Sequence, residues 1–531
     1  MKYILKNVNT VFWKEYCLEV EIMLNLLLFA FCIGLSVAAE FWGGYGAWTL
    51  VISLTTLGLW LTAAKRHDNI VTIEPFQPYF GHLNEFRRFY SGSMYDDCAK
   101  WLAKYEKHRV IAFSLPLRTY VSILDPAYIE LIWTAEFESA EKSDFFNEKY
   151  EPLFGNGIFN ADGKIWRKHR KIASQIFTMR SLKGHMFECF INTTKDFMEK
   201  ISEMTNKGNK AIDISDMFGR LTLEAFTFMA FGAEVPCIRK APEVLEFPKA
   251  FDAAFVICSR RWLNPLFKLE SWLNIGKEKE LKQHVKVVNK FVSDVIAQRK
   301  DMKYRDELAK RYDLISSFLQ DKEHQMTEKE LRDITINFIT AGRDTTASLL
   351  TWTCYELAMH PDICDKVRKE VVSLCGDDAD DFMSFDQVTK MTYLEAVLFE
   401  TLRLHPSVPV LLRFATRDIH LPGGEIIRKG EGVVINAYAL ARLDKFWKDP
   451  LKFDPTRFLD QTYSPAQYPY FNLPPRLCLG KHVAIMETKI AIAKLAMKYN
   501  FKLKEGQSFV PTFSATMQLK EGMKMHFIPR T

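Results

Sequence analysis

The segment FNLPPRLCLGKH, residues 471–482, sets Cys478 behind two prolines and Arg476 and ahead of Gly480. The apolar-periodic run KHVAIMETKIAIAKLAMKY follows and predicts a helix from Gly480 to about Tyr499. Cys478 therefore precedes a helix N-terminus, where free N–H groups and the helix dipole stabilise a thiolate and lower its pKa. Gly480 lets the backbone approach something flat or bulky. Arg476 offers a fixed cation to an anionic group. The plainer alternative is a buried cysteine at a helix start.

A second reactive grouping lies in TEKELRDITINFITAGRDTTASLLTWTCYELAMHP, residues 327–361. Thr327 and Glu330 have capping-box spacing and Pro361 ends the run, so a long buried helix is expected between them. Arg343, Asp344, Thr345 and Thr346 interrupt its apolar character mid-way. Gly342 and the β-branched threonines weaken the helical ladder, and a hydroxyl bonding back one turn can bend or open it. An acid beside an alcohol in an apolar groove suits proton delivery; a kink or a satisfied polar patch is the alternative. The third grouping is TYLEAVLFETLRLHP, residues 392–406. Thr392 and Glu395 again fit a capping box, Pro406 ends the helix, and Glu400 and Arg403 share a face. On the surface that pair contributes about 0–1 kcal/mol. Buried, with Arg457 of FDPTRF (453–458) as a third member, it fixes local geometry.

The elements that must position these groups fill 531 residues. Length alone favours two or more domains of about 100–200 residues, but the spread of the motifs favours one large α-rich domain. Aromatics at 13% and hydrophobics at 48% suffice for a large core and an apolar pocket. The net charge of +6 is mild and dispersed. It argues against nucleic acid and fits an acidic protein partner or an anionic membrane face. Ten cysteines without C-x-x-C or Cys/His ligand spacing make neither a disulfide framework nor a zinc site. Thiols are then reduced, and the working end faces the cytosol. Helical patterns dominate 140–405, with short strands expected at 110–115, within 419–435 and within 513–529.

Residues 22–39 and 41–64 are uncharged and mostly apolar, with Glu40 between them. Each reaches the roughly 27 Å of a spanning helix. Gly43, Gly44 and Gly46 can turn the chain, and the flanking Lys2, Lys6, Lys14, Lys65 and Arg66 place both ends on the cytosolic side. That describes a helical hairpin; one span plus an interfacial segment is the alternative. The second run disfavours a cleaved signal peptide. The organisation expected is a membrane anchor of one or two helices over 1–66 and a catalytic domain over 67–531.

Together the three groupings resemble cytochrome P450, the haem-thiolate monooxygenase family. Its ligand pattern is Phe, Gly, Arg, Cys and Gly at fixed spacing, and Phe471, Arg476, Cys478 and Gly480 match it. Ala341, Gly342, Asp344, Thr345 and Thr346 match its oxygen-activating helix. Glu400 and Arg403 match its Glu-x-x-Arg signature, and Trp166 and Arg170 its Trp-x-x-x-Arg motif. The likeness covers about 70–531 and implies a mainly α fold with small β-sheets behind N-terminal anchor helices. It implies haem b, with Cys478 as the axial thiolate to iron and the following N–H groups tuning the sulfur. Arg476, Trp166, Arg170 and Arg413, the last in VPVLLRF, would contact its propionates. Asp344 and Thr345 would relay protons to dioxygen, while Glu400, Arg403 and Arg457 would hold the scaffold. One departure concerns Pro474, where the family usually has glycine four residues before the ligand. Proline fixes φ near −65°, so a loop needing positive φ there must turn differently.

Residues 153–177, 331–348 and 471–481 look most like the fatty-acid ω-hydroxylase clan, plant-type long-chain branch. Animal members often carry a haem-esterified Glu before the glycine of the oxygen-activating helix; Ala341 stands there, so no ester is expected. The resemblance implies hydroxylation of a long-chain fatty acid or similar lipid at or near its terminal carbon. A sterol or other apolar small molecule is an alternative substrate. A haem-thiolate isomerase or sensor is an alternative function, disfavoured by the acid–alcohol pair. LEFPKAFDAAFVICSRRWLNPLF (245–267) is either substrate roof and lipid contact or ordinary core, and Arg260 and Arg261 read as solvated rather than as a carboxylate anchor. No flavin or nicotinamide domain is read in these residues, so electrons are expected from a separate NADPH-dependent reductase. Arg167, Lys168 and Lys171 form a docking face for it or a merely solvated one. The expected location is the endoplasmic reticulum membrane, with the catalytic domain cytosolic.

Overall fold

A computed structural model describes residues 66–530, apart from 78–80, 83–84, 86–93, 116–117, 207–209, 263, 265, 301–313, 320–325, 379–382, 460 and 513. The expected anchor helices lie outside the described residues. Among the described residues, no helix is long and apolar enough to cross a membrane.

Helix α1 (Met94–Ala103) leads into the hairpin of β1 (Val110–Leu115) and β2 (Arg118–Ile123), the first on the expected apolar run. In α2 (Pro126–Trp133) proline takes the first turn, where its missing N–H costs nothing, and Asp125 caps the Ala127 N–H. Then come β3 (Ala140–Glu141), α3 (Ser143–Phe154), α4 (Gly163–Ser174), α5 (Phe187–Asn206), β4 (Ile212–Asp213) and α6 (Ile214–Phe231). Next are α7 (Glu246–Arg260), α8 (Phe267–Leu273), α9 (Gly276–Lys300), α10 (Glu328–Met359), α11 (Pro361–Cys375) and α12 (Thr392–Leu404). Strands β5 (Val410–Ala415), β6 (Ile419–His420), β7 (Ile426–Ile427) and β8 (Gly432–Asn436) precede α13 (Lys481–Lys498), β9 (Tyr499–Leu503) and β10 (Lys524–Pro529).

The main sheet has the order β1-β2-β8-β5-β3, antiparallel except where β2 meets β8. A second sheet, β4-β10-β9, ties the C-terminal strand to the chain ahead of α6. One apolar cluster joins the main sheet to α2, through Ile111, Val121, Ile129 and Val433. The larger cluster, with Leu153, Phe218, Leu350, Val397 and Ile490, is built between helices.

Helix α10 is buried along most of its length. Its capping box forms as expected: Thr327 Oγ1 accepts the Glu330 N–H at 3.2 Å, and the Glu330 carboxylate accepts the Thr327 N–H at 2.8 Å. Its threonines do not open it. The hydroxyls of Thr335, Thr340, Thr345, Thr351 and Thr353 donate to carbonyls four residues back at 2.7–2.8 Å, and the helix stays continuous. Each hydroxyl is satisfied on its own helix, so buried alcohols need no break in the ladder. Gly342 serves packing instead: a Cβ there would lie 1.9 Å from the Phe226 ring of α6.

The second expected capping box does not form. Thr392 is already helical and Met391 makes no side-chain cap. Glu370 of α11 caps α12, accepting the Tyr393 and Leu394 N–H groups at 2.7 and 2.9 Å. Glu395 instead pairs with Lys489 of α13 at 2.5 Å. A carboxylate from a neighbouring helix took the donors that local spacing assigned to Thr392.

Arg261 is not solvated: it is buried and donates to both oxygens of Glu278 at 2.9 and 2.6 Å, holding the end of α7 to α9. The α7 phenylalanines are core. Phe251 and Phe255 are buried, and Phe247 stacks on Phe291 at 3.8 Å. Exposed apolar side chains appear further on, at Leu269, Trp272 and Leu273 of α8 and at Ile275.

Candidate active site

The loop before α13 is closed by the Cys478 N–H, which donates to the Phe471 carbonyl at 2.8 Å. Asn472 takes φ 61° and ψ −174°, a region that costs a residue with a side chain about 1–3 kcal/mol. Its Oδ1 accepts the Leu473 N–H at 2.8 Å. The positive φ thus falls at Asn472, two residues ahead of Pro474, and the Pro474–Pro475 bond is cis. Gly480 caps α13 with φ −88°. Neither φ nor a neighbour among the described residues demands glycine there, since an added Cβ would meet none of them within 4 Å.

The Cys478 side chain is exposed. Burial nevertheless pushes its thiol above the ordinary value, against the N–H groups of Gly480 and Lys481 and the charges of Arg170 and Lys481. The helix terminus acts in the expected direction, but desolvation outweighs it in the bare chain.

A group of cations lies nearby. Arg413, on β5 opposite Val433, is 3% exposed, and neither of its Nη atoms has a hydrogen-bond partner among the described residues. Its guanidinium rests over Trp133 and Phe137 at 4.7 and 4.8 Å. Burial, reinforced by Arg476, lowers its pKa to about 9. Arg476 stacks over Trp166 at 4.4 Å and donates to Asp162 at 2.6 Å and to the Ala161 carbonyl at 2.9 Å. Arg170, one turn after Trp166 on α4, is half-buried and close enough for its charge to act on Cys478.

Lys142 joins the same group: burial and the charges of Arg476 and Arg413 pull its pKa down to about 7. Sequence reading singled out neither Lys142 nor Asp162. Asp162 before Gly163 looks like an ordinary helix cap. It occupies that position without a capping bond, its carboxylate held by Arg476 and by the Lys142 N–H at 2.8 Å. Chains rarely bury this much positive charge unless an anion completes the site.

On α10, Asp344 is buried and accepts from Arg343 at 3.1 Å through Oδ1, while Oδ2 has no partner among the described residues. Burial pushes its pKa up to about 7 despite Arg343. Thr345 donates to Ala341 at 2.7 Å, and its own carbonyl accepts from Ser407 at 2.9 Å.

The scaffold pair is buried rather than superficial. Arg403 and Glu400 are fully buried and meet in a fork at 2.7 and 2.8 Å. Arg403 also donates to the carbonyls of Ala441, Pro450 and Lys452 at 2.7, 2.7 and 3.1 Å. Arg457 reaches Glu400 at 3.4 Å. The chain at Ala441 and the stretch from Pro450 to Arg457 are thereby pinned to α12 ahead of the Cys478 loop.

The family model described as Cytochrome P450 matches residues 73–527. The chain is a cytochrome P450. Cytochrome P450 704B1 of Arabidopsis thaliana is 32% identical over 478 residues, covering 81% of this chain and 91% of its own. Cytochrome P450 704C1 of Pinus taeda is 30% identical over 459 residues, covering 80% and 87%. The crystal structure of the cytochrome P450DA heme domain superposes with a TM-score of 0.74 at 21% identity, over 88% of this chain and 99% of that one. That last likeness is one of fold. This P450 belongs to the plant-type part of the ω-hydroxylase clan. It is a monooxygenase of a family that uses haem iron with a thiolate ligand, dioxygen and electrons. The residues present fit a haem: an accessible thiol, open space at Gly480 and an orphaned buried guanidinium at Arg413.

Proposed function

We propose that this P450 hydroxylates a long-chain fatty acid or similar lipid at or near its terminal carbon. The observation that carries the haem-thiolate part is the accessible Cys478 thiol at the head of α13, within reach of the Arg170 charge. The choice of a lipid follows the clan. Cys478 would ligate the iron, and Phe471 would hold the loop that presents it. Arg413, Arg476, Lys142 and Arg170 would neutralise the propionates, with Trp166 and Phe137 flanking them. When bound, the haem supplies the chemistry that inserts one oxygen atom of O2 into a C–H bond.

The chain's own residues do the rest. Asp344 holds an exchangeable proton on Oδ2, the oxygen without a partner, at a pKa suited to transfer near neutrality. Thr345 offers its hydroxyl at the next position. Glu400, Arg403 and Arg457 keep the ligand loop in register. Leu269, Trp272 and Leu273 of α8 give the bilayer an apolar contact, which suits an enzyme anchored in the endoplasmic reticulum membrane with its catalytic domain cytosolic. Exposed Arg167 and Lys171 on α4 would steer an acidic NADPH-dependent reductase, though Arg167 already pairs with Glu138.

The reduced protein under carbon monoxide should show the red-shifted absorption of thiolate-ligated haem; its absence would remove Cys478 as ligand. Membranes carrying the protein and a reductase should convert fatty acids across a chain-length panel. Oxidation of sterols with no oxygenated fatty acid would overturn the substrate.

A further inference from the structure

Arg343 stands beside the acid of α10 and is bonded to it. Its Nη1 donates to Asp344 at 3.1 Å and to Asp252 of α7 at 2.7 Å, while Nη2 donates to the second Asp252 oxygen at 3.2 Å. One guanidinium therefore serves two carboxylates on different helices. Helix α7 packs chiefly on α9 and α3. Among the described residues, this ion pair and the Phe251 ring, 5.7 Å from the guanidinium, tie it to α10. The Asp252 side chain is 43% exposed and that of Asp344 only 1%. The outer carboxylate can thus leave with α7 while the inner one cannot.

We propose that Asp252 is a positioning residue: through Arg343 it couples the seating of α7 to proton delivery by Asp344. The proposal rests on Asp344 being the proton carrier. With α7 seated, Asp252 holds the fork of Arg343 and leaves Asp344 a single bond. With α7 displaced, Arg343 turns its fork to Asp344 and fixes it as a carboxylate.

The remaining groups around the pair are neutral or engaged. From α6, Gly219 approaches Arg343, and Thr222 donates to the Arg343 carbonyl at 3.0 Å. Arg220 is spent on Asp216 and on the Cys237 and Glu243 carbonyls. Cys237, the other titratable neighbour, is pushed up to about 12 by burial and stays neutral. Burial and the Asp252 charge raise Asp344, whereas Arg343 lowers it. Removing the Asp252 charge must therefore make Asp344 ionise at lower pH.

The test uses the full-length holoenzyme with its reductase and a fatty-acid substrate. Asp252→Asn should move the alkaline limb of the kcat profile down by about one pH unit, roughly a tenfold loss on that limb. Product formed per NADPH should fall, KM should change less than twofold, and Asp252→Glu should restore the profile. If the Asn variant lost its thiolate-haem absorption, Asp252→Ser carries the same expectation. Asp344→Asn separates the two ideas. Unchanged coupling in Asp344→Asn overturns the proton-carrier reading itself. Impaired coupling there, with a wild-type pH profile in the Asp252 variants, overturns the role of Asp252 alone. A raised KM or lowered stability without a moved limb makes Asp252 merely structural and also overturns it.

Discussion

Arg413 offers the sharpest check on how the site is completed. The guanidinium is charged at neutral pH in both folded and unfolded chains. The fall in pKa from 12.5 to about 9 therefore measures a cost of burying it unpaired, on the order of 5 kcal/mol. The rings of Trp133 and Phe137 return about 1–2 kcal/mol. The haem-stripped chain thus carries roughly 3 kcal/mol of unrelieved strain, which a propionate would remove. Arg413→Met keeps most of the volume and discards the charge. The stripped variant should resist denaturant better than the stripped wild type, by about 3 kcal/mol. The haem-loaded variant should lose charge-assisted bonds of about 1.5–3 kcal/mol, so haem should transfer to excess apomyoglobin about 10- to 100-fold faster. Opposite signs in the two states are the signature. A stripped variant less stable than wild type, together with unchanged haem retention, would refute the reasoning, because Arg413 would then have a partner within the protein.

Glu400→Gln leaves the Arg403 charge buried against carbonyls alone and should cost about 3–5 kcal/mol, seen as a lowered melting temperature and reduced haem-loaded yield; Arg457→Ala should cost clearly less. Gly342→Ala drives a methyl into the Phe226 ring, and thermal unfolding should show a loss of about 1–3 kcal/mol. Burial holds the His169 pKa down at about 4, below the 6.5 of the unfolded chain. The unfolded state therefore binds the extra proton first, and stability falls as pH drops from about 6.5 towards 4. Denaturant midpoints at pH 7 and 4.5 should show His169→Leu losing about 2–3 kcal/mol less than wild type. Thr345→Ala should raise NADPH consumed per product while Thr345→Ser stays near wild type; unchanged coupling in the alanine variant would exclude the hydroxyl from proton delivery.

The amino-acid sequence by itself determined the groups whose chemistry depends on neighbours along one segment. Cys478 ahead of α13, the capping box and acid–alcohol pair of α10, and Glu400 with Arg403 are all set by spacing on a helix or at its end. Tertiary structure decided everything that depends on burial or on a partner far away in the chain. Arg343 meets Asp252 across 91 positions, Glu370 replaces Thr392 as the cap of α12, and Lys142 and Asp162 join the cations around Arg413. The same holds for signs. A helix terminus lowers the pKa of the Cys478 thiol, yet packing around the sulfur reverses the balance. Spacing fixes which side chains share a face, but the free energy of a charge depends on every element that excludes water from it.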